Sequence, residues 1–280
     1  THVRPKERSA VLQAIEVNVH KANIVVVNGD MVGGKAMEYD QEKHTKALQF
    51  TLKMFERWAK RYPKKTFYVV LGNHDGDANQ DVKDKLIALS QCENVHVSHY
   101  GVVVGDVLFT HGDLQQQIHP PITHERREYK RPRRSYQHSD PEAKTFILYE
   151  YLLQHLEDSD YEQQFKVLRH SGKEGYPPSE SALSAEELNN LHVMFGHTHD
   201  FAHFVRDNGK TVGNSMSLKH HPAWEGRGSH NIETPAYLKQ PMLYFHKGQL
   251  TEKRRAFGTT TDWRDMVNQT KNGNRESLDL

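Results

Sequence analysis

Four short polar turns carry the residues of this sequence that could do chemistry: Gly29-Asp30, Gly72-Asn73-His74-Asp75, His111-Gly112-Asp113 and Gly196-His197-Thr198-His199. Each follows an apolar run and reads as the end of a buried strand. Between them they offer a carboxylate (Asp30), an amide oxygen (Asn73) and three imidazoles (His111, His197, His199). A mixed set of nitrogen and oxygen donors suits manganese, iron, zinc or nickel better than calcium or magnesium. The glycines let the backbone turn sharply and approach metals and an anionic substrate closely. In GHTH the two histidines are two residues apart. On an extended strand both would face one side, whereas a curling turn lets them reach two neighbouring ions. Taken singly, each turn has a plain reading as a loop after a strand, a helix cap or a structural histidine. All four in this order, all at strand ends, make a far narrower coincidence.

The elements that must position these turns are legible around them. In NIVVV from Asn23 the residues Ile24 to Val27 are continuously β-branched and the run ends at NGD; TFYVVL from Thr66 ends at GNHDGD. Between the two, Leu48, Phe50, Leu52, Met54, Phe55 and Trp58 predict a long amphipathic helix over about 40–61, stopped by Pro63. Val11, Leu12, Ile15, Val17 and Val19 give an imperfect helical stripe over 8–20. Such alternation implies a layered α/β arrangement with parallel strands and sites at their carboxyl ends. VSHYGVVVGDVLFTHGDL then reads as a hairpin around Gly105-Asp106 whose second strand ends at His111. From 114 to 190 the β pattern breaks. A basic, proline-containing stretch, HERREYKRPRR, precedes apparent helices over 143–156 and 161–170. We read a cap insertion over about 115–190 within one main domain of 1–260. A helix capped by Ser184, the strand HVMF and GHTH follow, with hairpins at 207–209 and 247–248 and a polar tail over 261–280.

The composition narrows the function classes. Thirty-seven basic and 36 acidic residues nearly cancel, so no global field marks a general nucleic-acid or membrane binder. The KRPRR stretch lies beside no aromatics beyond Tyr129 and Tyr136, too few for a stacking platform, so no nucleic-acid partner is expected. A single cysteine, Cys92, excludes an internal disulfide and fits a reducing compartment. No apolar run approaches the roughly 20 residues that span a bilayer, and THVRPKERSA lacks the apolar centre of a signal peptide. A cytoplasmic protein is the expectation, with an exported one compatible. Histidine is over-represented at 20 of 280 residues, which fits metal ligation.

The order GD, GNHD, HGD, GHTH resembles the calcineurin-like metallophosphoesterase superfamily, which includes protein Ser/Thr phosphatases, over most of the chain to about residue 250. The resemblance implies an α/β fold of β-sandwich type flanked by helices. It implies that Asp30 bridges two divalent metal ions, that Asn73, His111 and His197 hold one ion, and that His199 holds the other. Manganese is the foremost choice. His74 resembles the catalytic acid, steered by Asp75 or Asp113. The family's first motif is Asp-x-His; here the chain begins Thr1-His2, so His2 resembles the second half of that motif, with the Asp and its strand expected to precede Thr1. A second departure is Met31-Val32-Gly33-Gly34 where protein phosphatases carry a further Asp and an Arg. Arg127, Arg131 and Arg134 are then the nearest candidates to grip a phosphate, since a guanidinium does so bidentately.

The expected activity is metal-dependent hydrolysis of phosphomonoesters, phosphoprotein side chains among them, because HGDL resembles the HGGL of protein phosphatases and a basic segment favours dianionic groups. One alternative is a hydrolase of diesters or pyrophosphates acting on a nucleotide or a lipid-linked substrate. The other is a non-catalytic scaffold on the same fold, against which the retained His74 argues.

Overall fold

The computed structural model describes residues 19, 22–31, 41–76, 80–113, 141–157, 165–172, 176–197, 202–214, 242–246 and 249–253; at some of these, His74 among them, the backbone element alone is described. β1 (Ile24–Asn28), the helix α1 (Gln41–Arg61), β2 (Thr66–Val70), the single turn α2 (Asn73–Gly76), α3 (Gln80–Ile87) and β3 (Val95–Ser98) follow one another, and the three strands form a wholly parallel sheet in the order β1-β2-β3. Lys60 and Arg61 fill the last turn of α1, where positive charge complements the helix dipole, and Pro63 follows as a stop.

A second, seven-stranded sheet is built from β4 (Val102–Val104), β5 (Val107–Phe109), β6 (Lys166–Arg169), β7 (Ser179–Ala182), β8 (His192–Phe195), β9 (Ala202–Val205) and β10 (Thr211–Asn214) in the order β7-β6-β4-β5-β8-β10-β9. The expected hairpin at Gly105-Asp106 joins β4 to β5, and that at 207–209 joins β9 to β10. Two helices belong to this half: α4 (Pro141–Glu157) and α5 (Ala185–Asn189), the latter capped by Ser184, whose hydroxyl accepts the Glu187 N–H at 3.1 Å. β11 (Met242–His246) and β12 (Gln249–Lys253) form a separate hairpin.

Strand alternation sorts the side chains into three apolar layers. Val25, Val27, Phe67 and Val69 face α1 and pack with Phe55 and Trp58; the Trp58 and Phe67 rings stack with centroids 6.1 Å apart. The intervening residues Ile24, Val26, Tyr68 and Val70 face the other way and meet Val102, Val104, Phe109 and Leu168 of the second sheet. That sheet's opposite face, with Val103, Leu108, Val167 and Val193, is covered by Leu148, Leu152 and Leu156 of α4. The result is a β-sandwich flanked by helices, as the motif order implied. Each fully buried apolar side chain of this kind contributes about 1.5–3 kcal/mol.

Two sequence expectations change. The helix expected over 161–170 is the strand β6 at 166–169: Val167 turns to α4 and Leu168 to the inter-sheet layer, a two-sided burial that suits a strand. Within the segment expected as a helical cap, about 115–190, the helix expected over 143–156 is present as α4 and covers the outer face of the second sheet, which β6 and β7 extend, so the described residues of this segment build the sandwich. The basic stretch 124–134 and the tail 261–280 lie outside the described residues, as does the 8–20 stripe except for the buried Val19. Among the described residues no helix is long and apolar enough to cross a membrane.

Candidate metal centre

The strand ends that carry the four motifs converge. β1 and β2 run parallel in the first sheet, with Asn28 opposite Val70. β5 and β8 run parallel in the second, with Phe109 opposite Met194. Past these pairs the chains turn inward. Gly29 and Asp30 both adopt left-handed backbone, at φ 77° and 53°, and Asp30 is the non-glycine residue with positive φ among the described residues. For a residue with a Cβ that conformation costs about 1–2 kcal/mol, a cost that structures retain mainly where the side chain must be aimed. Asp30 is 2% exposed.

The GNHD turn closes on itself. Asp75 is fully buried, and its carboxylate accepts the Gly72 N–H at 3.0 Å while its own N–H donates to the Gly72 carbonyl at 2.9 Å. This fixes α2 directly behind Gly72 and presents Asn73 at its first residue.

His111 is the hub. Its Nε2 lies 3.3 Å from Asp30 Oδ2, 3.3 Å from Asn73 Oδ1 and 3.3 Å from His197 Nδ1. Its Nδ1 lies 3.1 Å from the Asn28 carbonyl, the contact by which an N–H at Nδ1 leaves the Nε2 lone pair facing the other three groups. Donor atoms of Asp30, His111 and His197 all lie within 4.8 Å of one another. Donors on a tetrahedral ion with bonds of about 2.0–2.1 Å stand about 3.3 Å apart. The separations from Nε2 match that edge, and the donor chemistry is the mixed nitrogen and oxygen set of a transition-metal site. The residues present fit a divalent ion.

The glycines of three motifs make room for the His111 ring, for Asp30 and for the Asn28 carbonyl that faces His111. A Cβ on Gly29 would stand 2.0 Å from His111 Nδ1, one on Gly72 would stand 2.4 Å from Asp30 Oδ1, and one on Gly196 would stand 2.2 Å from the Asn28 carbonyl oxygen. The motifs therefore need glycine for close approach to the donors as much as for turning.

The electrostatics separate His111 from the half-buried His96 and His170 and the buried His192. Burial lowers His96, His170 and His192 below the ordinary range. At His111 burial also opposes the charge, but the hydrogen bond to Asp30 and the carboxylates of Asp30 and Asp113 outweigh it, raising the group to about 9. A buried pocket that draws a proton this strongly onto an imidazole is one that favours positive charge, which is the condition for binding a cation.

Of the sequence candidates, the structure brings Asp30, Asn73, His111 and His197 together, with Asp75 behind the turn and Asp113 near His111. His74 lies in α2 with its side chain outside the described residues, where His2, His199, Arg127, Arg131 and Arg134 also lie. One contributor was missed: Asn28, whose Nδ2 donates to the carbonyls of Thr110 and Met194 at 2.9 Å each. An amide closing a half-buried β-branched strand was the available signal, because an amide withdrawn from water must find partners.

Residues 1–201 match the family described as calcineurin-like phosphoesterase. No curated protein and no solved structure matches the chain.

Proposed function

This chain belongs to the calcineurin-like phosphoesterase family, and we propose that it is a phosphatase that hydrolyses phosphomonoesters, phosphoprotein side chains among them, with two divalent metal ions. Metal-dependent phosphoesterase chemistry is what the family brings in general. The observation that carries the reading is the buried convergence of Asp30, Asn73 and His197 on His111 Nε2 at 3.3 Å each.

In this reading Asp30, Asn73, His111 and His197 hold metal, with His199 and His2 completing the set. Divalent ions held by these residues would supply Lewis-acid chemistry, neutralising phosphate charge and lowering the pKa of water. The chain's own groups do the rest. His111 keeps its proton on Nδ1, tied to the Asn28 carbonyl, so that Nε2 serves as a ligand. Asp75 holds the GNHD turn rigid. His74, adjacent to Asn73 on that turn, gives a proton to the departing oxygen, a role worth about 100- to 10,000-fold in rate. Arg127, Arg131 and Arg134 grip the phosphate.

The test is phosphate release from para-nitrophenyl phosphate, its bis ester and a phosphopeptide pool by metal-stripped protein, with manganese, zinc, nickel or magnesium restored and Asp30→Asn as control. Metal-dependent release from the monoester and the peptides, lost in Asp30→Asn, is the expected result. Preference for the bis ester would replace the phosphatase reading with a diesterase one, and no release from metal-loaded protein would leave the scaffold reading in its place.

A further inference from the structure

The donor set is divided between two sheets that share no backbone pairing among the described residues. Asp30 and Asn73 follow strands of the first sheet, while His111 and His197 follow strands of the second. The apolar layer between the sheets sets their spacing but, being non-directional, does not fix the register of one sheet's strand ends against the other's. Directional polar contacts between the sheets do: Tyr68 Oη meets His170 Nδ1 at 2.9 Å away from the centre, and at the centre itself the tie from β1 runs through Asn28.

Asn28 stands at this joint. Its Nδ2 spans both second-sheet strands at once, donating to Thr110 O, one residue before His111, and to Met194 O, three residues before His197. Those strands are already tied to each other, Thr110 N–H to Met194 O at 3.1 Å and Gly196 N–H to His111 O at 3.1 Å. The Asn28 backbone carbonyl faces His111 Nδ1, and Asp30 is two residues further along. Two facing carbonyls admit only a donor, so the amide orientation is set by chemistry. The Oδ1 it turns away is buried with no hydrogen-bond partner among the described residues. A buried acceptor left unsatisfied is costly, and the arrangement accepts that cost to keep both donors on the carbonyls.

We infer that Asn28 is a positioning residue for the metal centre: by pinning the ends of β5 and β8 to the end of β1, it holds His111 and His197 at ligating distance from Asp30 and fixes the His111 tautomer. It touches no reacting atom and acts through the histidines. The inference rests on the metal-dependent reading above, and its test reads metal binding without turnover.

Cobalt(II) serves as the probe, because its visible absorption reports coordination geometry as well as affinity. It is titrated into the metal-stripped full chain and into Asn28→Ala, Asn28→Asp, Asn28→Ser and Leu152→Ala, with the unfolding midpoint of each metal-free protein measured alongside. Asn28→Asp keeps the shape but sets a carboxylate oxygen against the two carbonyls; Asn28→Ser keeps one shorter donor. Leu152 belongs to α4 and is buried against the far face of the second sheet, so its loss destabilises without touching the joint. The expected result is a cobalt affinity about 10- to 100-fold weaker in Asn28→Ala and Asn28→Asp, with an altered absorption band, an intermediate Asn28→Ser, and parent-like binding in Leu152→Ala. If alanine and aspartate do not fold, serine carries the test. Asn28 variants that bind within about twofold of the parent with an unchanged band overturn the inference, as does a Leu152→Ala variant that loses affinity equally. A parent chain that binds no cobalt refutes the metal reading itself, a failure distinct from these.

Discussion

Gly72→Ala isolates the claim that these glycines exist for close approach. Gly72 has no positive φ, so alanine meets no backbone penalty there, and on chain entropy alone the change would stabilise by about 0.4–1 kcal/mol. The collision decides the sign. The new Cβ would sit 2.4 Å from Asp30 Oδ1, 2.6 Å from the Asp30 N and 2.9 Å from His111 Nε2. The first of these is about 1 Å short of ordinary contact, and neither neighbour is a free flexible end: Asp30 is buried in a left-handed turn and His111 is held at Nδ1. Overpacking of this kind costs about 1–3 kcal/mol, so the unfolding midpoint should fall by a few degrees, on the order of 2–4 °C per kcal/mol. The effect on the centre should be much larger. Metal sites tolerate about 0.2 Å in ligand position, and a 1 Å misplacement costs about 100-fold in rate, which is ~2.7 kcal/mol in kcat/KM.

The assay pairs a cobalt or manganese titration with para-nitrophenyl phosphate turnover, and Gly172→Ala serves as the contrast. Gly172 has φ 69°, and a Cβ added there would meet nothing within 4 Å, so alanine strains the backbone and leaves the site alone. Loss of metal affinity and turnover in Gly72→Ala, against parent-like binding in Gly172→Ala, is the expected pair. A Gly72→Ala protein that keeps kcat/KM and metal affinity within about threefold of the parent would refute the packing argument.

His74→Asn should lower turnover by about 100- to 10,000-fold while metal affinity holds; a titration and a rate at saturating metal separate the two, and an unchanged rate removes His74 from the mechanism. In metal-stripped protein, His111 is raised to about 9 from an unfolded value of 6.5, so its contribution is fully present below pH 6.5 and is lost as pH rises through about 9. That contribution is ~3 kcal/mol. Urea midpoints of the stripped protein should therefore fall across pH 6.5–9, and His111→Gln should flatten the slope; an equal slope in both would exclude the coupling. Metal competes with that proton, so affinity should rise over the same window. Leu152→Ala should cost about 2–5 kcal/mol in the same urea assay without altering the rate per folded molecule.

Local signals explain which parts of the fold could be read in advance. The β-branched runs before Gly29 and Gly72 are continuous because both faces of the first sheet are covered. The amphipathic run of α1 and the Ser184 cap are equally local features. β6 and β7 could not be read this way. KVLR is four residues long, its apolar pair fits a helix as well as a strand, and what makes it a strand is pairing with β4 some 60 residues earlier, Val102 opposite Leu168. Within the centre, residue types and spacing marked the donors, but the role of Asn28 depends on carbonyls 82 and 166 residues away.

The same division explains why the donors could be marked while their joint could not. Each donor sits two or three residues past a strand, so its type and its turn are written in a few adjacent letters. Only one half of the joint has a local sign, the amide of Asn28 closing β1; the other half consists of backbone carbonyls that every residue possesses. The Asn28 amide donates to two of those carbonyls, at Thr110 and Met194, beside the contacts of His111 with Asp30 and Asn73 that also cross between the sheets. An ion held by Asp30 and Asn73 from one sheet and by His111 and His197 from the other would tie the two sheets together, and its binding free energy would then add to their stability. Asn28 and the metal thus act on one degree of freedom, the relative placement of two sets of strand ends. Loss of either should loosen the grip of the other, a coupling that is reciprocal by thermodynamic necessity.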